Sequence, residues 1–439
     1  MIVFLIKAAQ LILAFAILVF VHELGHYFFA RLFRVRVDKF YLFFDWGGAI
    51  FRYKPKRSET EFGIGWLPLG GYCKINGMID ESMDTEYLQQ EPKPYEFRSR
   101  PAWQRLLIML GGVLFNFLLA LVIYSGIVLQ WGSMRMPSDR ISSGMAFSSV
   151  AQEAGFQNDD IILAVDGRPV DALASGFMRS VIQARQVEVL RQGRREIVHV
   201  PHDMMKRVLK ANSGFMSIQV PFVIDSVMPQ GTAYACQLKA GDSITAVNGK
   251  LMPDASDVIG AIRSHAGDSI ALSIVRAGEE LTITLPVDTG GLIGVSLRPL
   301  DAIYTIDHIR YSLFEAIPAG IAQGMGTMRS YVSDMKYVFT KEGAGQIGGF
   351  GTLGSLFPAS WNWPQFWAMT ALLSIMLAVM NILPIPALDG GHILFILIEI
   401  ITRRKVGQEV LIRAQLIGMA ILILLVLYAN GNDLLRAFR

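Results

Sequence analysis

Four long apolar segments limit most strongly how this chain of 439 residues can fold. They lie at residues 1–30, 106–129, 366–401 and 410–429, and each has the roughly 20 residues that a helix needs to cross a bilayer. The first is too long for the apolar part of a signal peptide and lacks a cleavage site, so we expect it to be retained. With 52% hydrophobic and 18% charged residues, the chain is predicted to be a polytopic α-helical membrane protein with four transmembrane helices.

Basic residues near the ends of these segments predict their orientation. They follow the first segment, precede the second and separate the third from the fourth: Arg31, Arg34, Arg36, Lys39, Arg98, Arg100, Arg105, Arg403, Arg404 and Lys405. Loops rich in Lys and Arg stay in the cytoplasm, which places residues 130–363 and both termini on the other side. Arg436 and Arg439 argue weakly against this orientation. The formal net charge of +3 is too small to indicate a nucleic-acid partner.

The first apolar segment contains His22-Glu23-Leu24-Gly25-His26. Two histidines four residues apart share one face of a helix, where they can bind one zinc ion while Glu23 acts on a water molecule. The alternative is that both histidines form hydrogen bonds with neighbouring helices. That alternative does not explain Glu23, because an ionisable residue inside a membrane is costly and indicates a functional site.

A catalytic zinc ion needs a third protein ligand, and the third apolar segment supplies two candidates. Pro384 and Pro386 interrupt its helix just before Asp389 and His392, so the chain can turn inward there. We favour Asp389, since a carboxylate also lowers the net charge of a buried site.

Two asparagines are further candidates. Asn381 can donate a hydrogen bond to a substrate or to a developing oxyanion, or it can cap the helix that Pro384 breaks. Asn116, in the second segment, can bond to a substrate strand or simply to a neighbouring helix, and the second role is the more common.

Residues 31–105 are expected to form short strands near the cytoplasmic side of the membrane. Residues 37–75 alternate β-branched or aromatic residues with glycine and proline turns. The large apolar side chains predict a piece that dips into the membrane face beside the metal: Phe40, Tyr41, Phe43, Phe44, Trp46, Phe62 and Trp66. An ordinary small cytoplasmic hairpin is the equally acceptable alternative.

An internal repeat occupies the outward segment. Residues 154–167 recur as residues 238–249, each copy with a short helix ending at glycine, an acidic turn, an apolar strand and an Asp-Gly or Asn-Gly turn. The copies resemble PDZ domains, at residues 141–219 and 221–288. Such α+β domains bind peptides at a sheet edge. Here they could equally act as a size filter.

The outward segment ends in two further features. Residues 303–340 have apolar residues at near-helical spacing and predict an amphipathic connecting helix. The glycine-rich run at 343–354 lacks the Gly-Lys-Ser/Thr of a phosphate-binding loop, so we expect no nucleotide.

Taken together, these residues resemble the site-two protease family of intramembrane zinc metalloproteases, peptidase family M50, and its sigma-E-regulating branch with tandem PDZ domains. The resemblance rests on the histidine motif, the repeat, Pro68-Leu69-Gly70-Gly71-Tyr72 and the run from Asn381 to Gly391. The sequence departs from the family at Gly111-Gly112, where Gly-Pro is common, and at Gly348-Gly349-Phe350-Gly351, where a proline is frequent. Both departures concern substrate gating rather than the metal.

The resemblance implies a role for each candidate residue. His22, His26 and Asp389 would bind Zn²⁺ and Glu23 would be the general base. A second group would bind substrate: Asn381, Gly70, Gly71, Tyr72 and Asn116. The family cleaves pre-trimmed single-pass membrane proteins such as anti-sigma factors, or clears signal-peptide remnants. It implies a multi-pass location in the bacterial inner membrane, with the PDZ domains periplasmic and the active site near the cytoplasmic side.

Two hypotheses of different class therefore stand: an intramembrane protease, and a catalytically silent PDZ scaffold that recruits envelope proteins. The presence of Glu23 between both histidines favours the enzyme. A transporter is disfavoured, because no inverted repeat accompanies the four segments.

Overall fold

The computed structural model describes residues 2–68, 70–78, 91–211, 214–338, 340 and 348–438. The chain divides into two compact units, one made of residues 1–132 and 310–439 and the other of Ser133–Ile309. Leu69 of the predicted substrate motif, residues 79–90 of the predicted β region and residues 343–347 of the glycine-rich run lie outside the described residues.

Four helices of the first unit are long and apolar enough to cross a membrane, within the part of the chain that is described: α1 (Ile2–Leu32), α2 (Ala102–Trp131), α11 (Trp363–Ile382) and α13 (Gln408–Ala437). The helices extend beyond the first, second and fourth predicted segments, most of all the fourth, which continues to Ala437 rather than ending at residue 429. Their helices continue into the flanking polar residues, because the helical hydrogen-bond ladder does not stop where the hydropathy does.

The third segment was predicted at residues 366–401 with an interruption at its prolines, and the structure has that interruption. The helix α11 ends at Ile382, a loop follows, and a separate helix α12 runs over Asp389–Thr402. Pro384 and Pro386 remove two backbone donors and clash with the preceding turn, so the helix cannot pass through them. With 14 residues, α12 is only about 21 Å long.

The described part of the first unit also contains the helices α9 (Leu313–Val338) and α10 (Phe350–Ser355). The predicted amphipathic helix at 303–340 starts too early, because Ser312 and Glu315 form the capping bonds that begin α9. This helix buries its small residues Ala316, Gly320 and Gly324 and leaves large apolar ones exposed. Small residues allow a close approach to α2, and the exposed face suits lipid.

The short strands predicted in the β region form a mixed four-stranded sheet, which is larger than the alternative of a small hairpin. Its strands are β1 (Val37–Leu42), β2 (Phe44–Tyr53), β3 (Glu61–Leu67) and β4 (Tyr72–Ile75), in the order β2-β3-β1-β4. The strand β1 pairs in parallel with β3 and antiparallel with β4. One edge of the sheet is therefore β4, and its inner residues pack on α1 and α2.

The second unit contains two sheet modules. The first module is built from β6 (Met145–Phe147), β7 (Ile161–Val165), β8 (Arg168–Pro169), β9 (Gln186–Arg191), β10 (Arg194–His199) and β11 (Met216–Ile218). Its sheets have the orders β10-β9-β7-β8 and β11-β6. Its helices are α3 (Ser149–Glu153), α4 (Phe177–Ile182) and α5 (Met204–Ala211).

The second module has one larger sheet, β16-β15-β13-β12-β17, with β14 beside β13. Its strands are β12 (Phe222–Val227), β13 (Ser243–Val247), β14 (Lys250–Leu251), β15 (Ser269–Arg276), β16 (Glu279–Pro286) and β17 (Val295–Leu297). Its helices are α6 (Thr232–Ala235) and α7 (Ala255–Ser264). Because β17 pairs with β12, this module continues past the predicted end at residue 288.

The remaining short elements are α8 (Leu300–Ile303) and the antiparallel pair of β5 (Ser133–Arg135) with β18 (Asp307–Ile309). Two single-turn 3₁₀ helices lie at Phe97–Ser99 and Ser138–Arg140.

Candidate metal centre

The helix α1 carries His22 and His26 on its buried face. Four residues make slightly more than one turn, so the two imidazoles lie one above the other with their Nε2 atoms 3.2 Å apart. Glu23, the next residue on the helix, lies on the wall of a cavity of about 710 Å³. The backbone of Cys73, on strand β4, hydrogen-bonds to its carboxylate.

The interrupted third segment brings Asp389 to these histidines. Asp389 is the first residue of α12, and its Oδ2 lies 3.2 Å from His22 Nε2 and 3.3 Å from His26 Nε2. Within the described ranges these three residues form the only group with metal-binding geometry, with ligand atoms within 4.8 Å of one another. His392, the competing candidate, lines the cavity but does not belong to this group.

The hydrogen bonds around these atoms fit a zinc ion. The Nδ1 of His26 donates to the Ile108 carbonyl at 2.9 Å, so its Nε2 presents a lone pair. The facing Asp389 Oδ2 is buried and lacks a hydrogen-bond partner among the described residues. Lone pairs that face one another at such distances repel unless a cation lies between them. Two imidazole nitrogens and one carboxylate oxygen are a ligand set typical of catalytic zinc.

Asn116 lies behind His22 rather than on the cavity wall. It is fully buried on α2, with Nδ2 at 3.2 Å from His22 Nδ1, while its Oδ1 has no partner in the described structure. When the Asn116 amide is flipped, so that its oxygen and nitrogen exchange places, its Oδ1 accepts a hydrogen bond from the Nδ1–H of His22. The lone pair of His22 Nε2 then faces Asp389. The geometry therefore fits an orienting contact to a metal-binding histidine better than the predicted contact with substrate.

Three glycines that sequence reasoning did not assign to the site make room for it. A Cβ on Gly25 would lie 2.2 Å from the Gly111 carbonyl oxygen, so α1 and α2 touch backbone to backbone. A Cβ on Gly112 would lie 2.5 Å from His26 Nε2 and 2.5 Å from His22 Cε1. The departure at Gly111-Gly112 thus borders the histidines directly. The sequence signal for this close packing was the presence of glycines, Gly25 and the pair Gly111-Gly112, in two apolar helices.

The other predicted substrate residues are divided. Asn381 lines the cavity, and its Nδ2 lies 3.3 Å from His22 Nε2. Gly71 and Tyr72 line it as well, at the start of the edge strand β4. Gly70 does not line the cavity and instead packs against the ring of Phe44.

A polar cluster formed by Lys39, Asp45 and Tyr72 borders the same cavity. Tyr72 Oη donates to Asp45 Oδ1 at 2.8 Å and Lys39 Nζ donates to Asp45 Oδ2 at 3.4 Å. Burial raises the pKa of Tyr72, and the adjacent Asp45 carboxylate raises it further. Burial alone would raise the pKa of Asp45, but the Tyr72 bond and the Lys39 charge lower it overall. At neutral pH the Tyr72 phenol therefore stays protonated beside the ion pair of Asp45 and Lys39.

The second module of the second unit has its own cavity, of about 260 Å³, between helix α7 and the edge strand β17. Ile259 and Ile262 line it from the helix and Val295 from the strand. An apolar groove between a helix and an open strand edge has the form required to add an extended peptide to a sheet.

Comparison with known proteins defines the class. The model of peptidase family M50 matches residues 10–425, nearly the whole chain. The chain belongs to this family, and it is a membrane zinc metalloprotease with Zn²⁺ as its cofactor.

Individual relatives extend over the full length. The regulator of sigma-E protease RseP of Escherichia coli strain K12 is 28% identical, over 99% of this chain and 100% of that protein. Protease RseP of Yersinia pestis is 28% identical over 98% of each chain. A protein of Ralstonia nicotianae, described provisionally as a zinc metalloprotease, is 30% identical over 97% of this chain and 98% of its own.

Proposed function

We propose that this chain is an intramembrane zinc metalloendopeptidase of the bacterial inner membrane. Its substrates are single-pass membrane proteins already trimmed outside the membrane, of the anti-sigma factor type, or signal-peptide remnants. The observation that carries the proposal is the meeting of His22, His26 and Asp389 with Glu23 on one cavity inside an apolar helical unit.

His22, His26 and Asp389 would hold the zinc ion. When bound, zinc supplies a Lewis acid that polarises the scissile carbonyl and acidifies water. Glu23 then takes a proton from the attacking water and returns it to the leaving nitrogen, as a general base and then a general acid. The Nδ2 of Asn381 is placed to donate a hydrogen bond to substrate at the same wall of the cavity.

The edge strand β4 would hold the substrate. A helical substrate hides its carbonyls in its own hydrogen bonds and must be unwound before it is cut. Among the described strands β4 pairs with β1 alone, and Tyr72 at its start and the preceding Gly71 line the cavity. Addition of an unwound substrate strand to this edge would satisfy its backbone groups next to Glu23.

The two outward modules are proposed to be periplasmic PDZ domains. The groove between α7 and β17 supports peptide binding by the second of them. Under the scaffold alternative this groove would recruit envelope proteins and the metal site would have no catalytic activity. The arrangement of Glu23 beside three ligand atoms favours the protease.

The decisive experiment compares wild-type protein with Glu23→Gln in detergent, using a transmembrane peptide as substrate and measuring bound zinc. We expect Glu23→Gln to retain zinc and to lower the cleavage rate about 10²- to 10⁴-fold, as for loss of a general base. Asp389→Ala is the companion variant, expected to lose zinc and activity together. Unchanged cleavage in Glu23→Gln would reject the mechanism, and a well-folded wild type without zinc would favour the scaffold.

A further inference from the structure

Gln415 is a buried polar residue on the fourth membrane helix, α13. It is 5% exposed, whereas its neighbours Leu416 and Ile417 are 49% and 61% exposed. The side-chain amide therefore faces the protein while the adjacent apolar side chains face outward. Gln415 also lines the cavity that contains Asp389 and Glu23. A buried amide in an otherwise apolar helix has to be compensated by a partner inside the protein.

The partner is the backbone of the loop that leads to Asp389. Gln415 Oε1 accepts a hydrogen bond from the Ala387 N–H at 3.2 Å. Ala387 has φ +76°, in the left-handed region that alanine rarely adopts. Such a conformation persists only where the surroundings over-determine it. The bond from Gln415 is one such restraint, because it fixes the direction of the Ala387 N–H.

A second contact from the same helix holds the residue before this corner. Gly418, three residues after Gln415, packs on Pro386 so closely that a Cβ would lie 1.9 Å from the Pro386 carbonyl oxygen. From the other side, a Cβ on Gly391 in α12 would lie 2.7 Å from Pro386 Cα. The corner formed by Pro386 and Ala387 is thus held between α13 and α12, two residues before Asp389.

We infer that Gln415 is a positioning residue for the metal site: its amide holds the Ala387 corner and thereby places the Asp389 carboxylate against the two histidines. This role rests on the proposed function of Asp389 as a ligand. It assigns to the fourth membrane helix a part in building the centre, although none of the three ligands lies on it.

The test replaces the amide without changing the side-chain volume much. Gln415→Met removes the acceptor and keeps an unbranched side chain, and Leu416→Met on the outward face of the same helix is the matched control. The readout is the rate at which purified, zinc-loaded protein in detergent loses zinc to a chelator, measured without substrate. We expect Gln415→Met to lose zinc about 10-fold faster than wild type and Leu416→Met to match wild type.

A second change tests whether the effect passes through Ala387. Glycine adopts positive φ freely, so Ala387→Gly added to Gln415→Met should recover part of the slower zinc release. Equal zinc release in Gln415→Met and wild type would overturn the inference, and so would faster release that Ala387→Gly does not relieve. A raised KM with unchanged zinc release would mean that Gln415 contacts substrate instead.

Asp389→Ala separates this inference from the proposed function. If Asp389→Ala releases zinc at the wild-type rate, the ligand assignment itself fails. If it loses zinc rapidly while Gln415→Met does not, only the role of Gln415 fails.

Discussion

The two units of the molecule are built in opposite ways. In the second unit each module repeats the same device: Asp160 and Asp242 each accept a hydrogen bond from the backbone N–H three residues earlier, and each forms an ion pair with an arginine, Arg191 or Arg276. In the membrane unit a local motif supplies only part of the centre, because His22 and His26 share one helix while Asp389 lies on another. His22 and Asp389 are far apart along the chain and meet through tertiary packing, in which α1 and α2 also approach closely at Gly25 and Gly111.

Because of this difference, the two units should respond differently to single substitutions. A module held by a local motif and its own core loses stability when one bond is removed, but the rest of its core remains. A metal centre held by backbone contacts between helices loses its geometry when a single methyl group is added. Changes of similar chemical size should therefore have unequal effects in the two units.

The largest effect is expected for Gly112→Ala. The added methyl group would fall 2.5 Å from His22 Cε1 and from His26 Nε2, so the histidines must move apart. We expect cleavage to fall more than about 100-fold, together with a loss of zinc affinity of 10- to 100-fold. Both are measured on purified protein in detergent, as cleavage of a transmembrane peptide and as zinc content.

Gly126→Ala on the same helix is the matched control, since nothing lies within 4 Å of its Cβ position. It should leave zinc and activity unchanged. Equal behaviour of the two variants would contradict the close packing of α2 on the histidines.

The next effect should fall on the second unit alone. Asp242 accepts from Arg276 Nε at 2.7 Å and from Arg276 Nη2 at 2.6 Å. Removing a buried, charge-assisted pair of bonds with Asp242→Ala should lower the free energy of unfolding of this module by about 1.5–3 kcal/mol. Hydrogen exchange of β12 and β13 in the full-length protein measures it. Zinc content should stay the same. A loss of zinc would contradict the expectation that this substitution affects one unit only.

The same aspartate predicts a pH dependence. Burial acts to raise the pKa of Asp242, but the Arg276 bonds and the Lys239 N–H outweigh it and lower the pKa. A lowered folded-state pKa gives stability that is complete above the unfolded pKa and is lost as pH falls through the folded value. Protection of β12 and β13 from exchange should therefore decline below about pH 4. Asp242→Ala should show a weaker decline.

A smaller effect is expected for Asn116→Ala. The variant removes the amide that orients His22 through Nδ1, without touching a ligand atom. Zinc affinity should fall about 10-fold, and KM for the peptide should stay constant at saturating zinc. A raised KM with intact zinc binding would instead restore the predicted contact of Asn116 with substrate.

The smallest effect should come from the turn of the second repeat. Asn248 and Gly249 have φ +50° and +78°, as a two-residue Asn-Gly turn requires. Gly249→Ala has no steric neighbour within 4 Å, so its cost is backbone strain alone, about 1–2 kcal/mol. Urea unfolding of the second unit, followed by hydrogen exchange, should show this shift, with Gly260→Ala in α7 as a control that is not strained.

Much of this protein is determined by the sequence itself. Four apolar segments are enough to define membrane helices, because a bilayer leaves the backbone no partner but itself. The spacing of His22 and His26 fixes their common face, and the recurrence of an acidic turn with Asp-Gly or Asn-Gly marks the repeat. These features depend on residues within a few positions of one another.

Tertiary structure decided the rest. The sequence favoured Asp389 over His392 as the third ligand candidate, but only the start of α12 at Asp389 brings its carboxylate next to both histidines. The parallel pairing of β1 with β3, the place of Asn116 behind His22 and the bond from Gln415 to Ala387 also join distant segments. A sequence pattern reports on one helix or strand. These contacts depend instead on how closely separate elements pack, and glycines and prolines far apart in the chain set that distance.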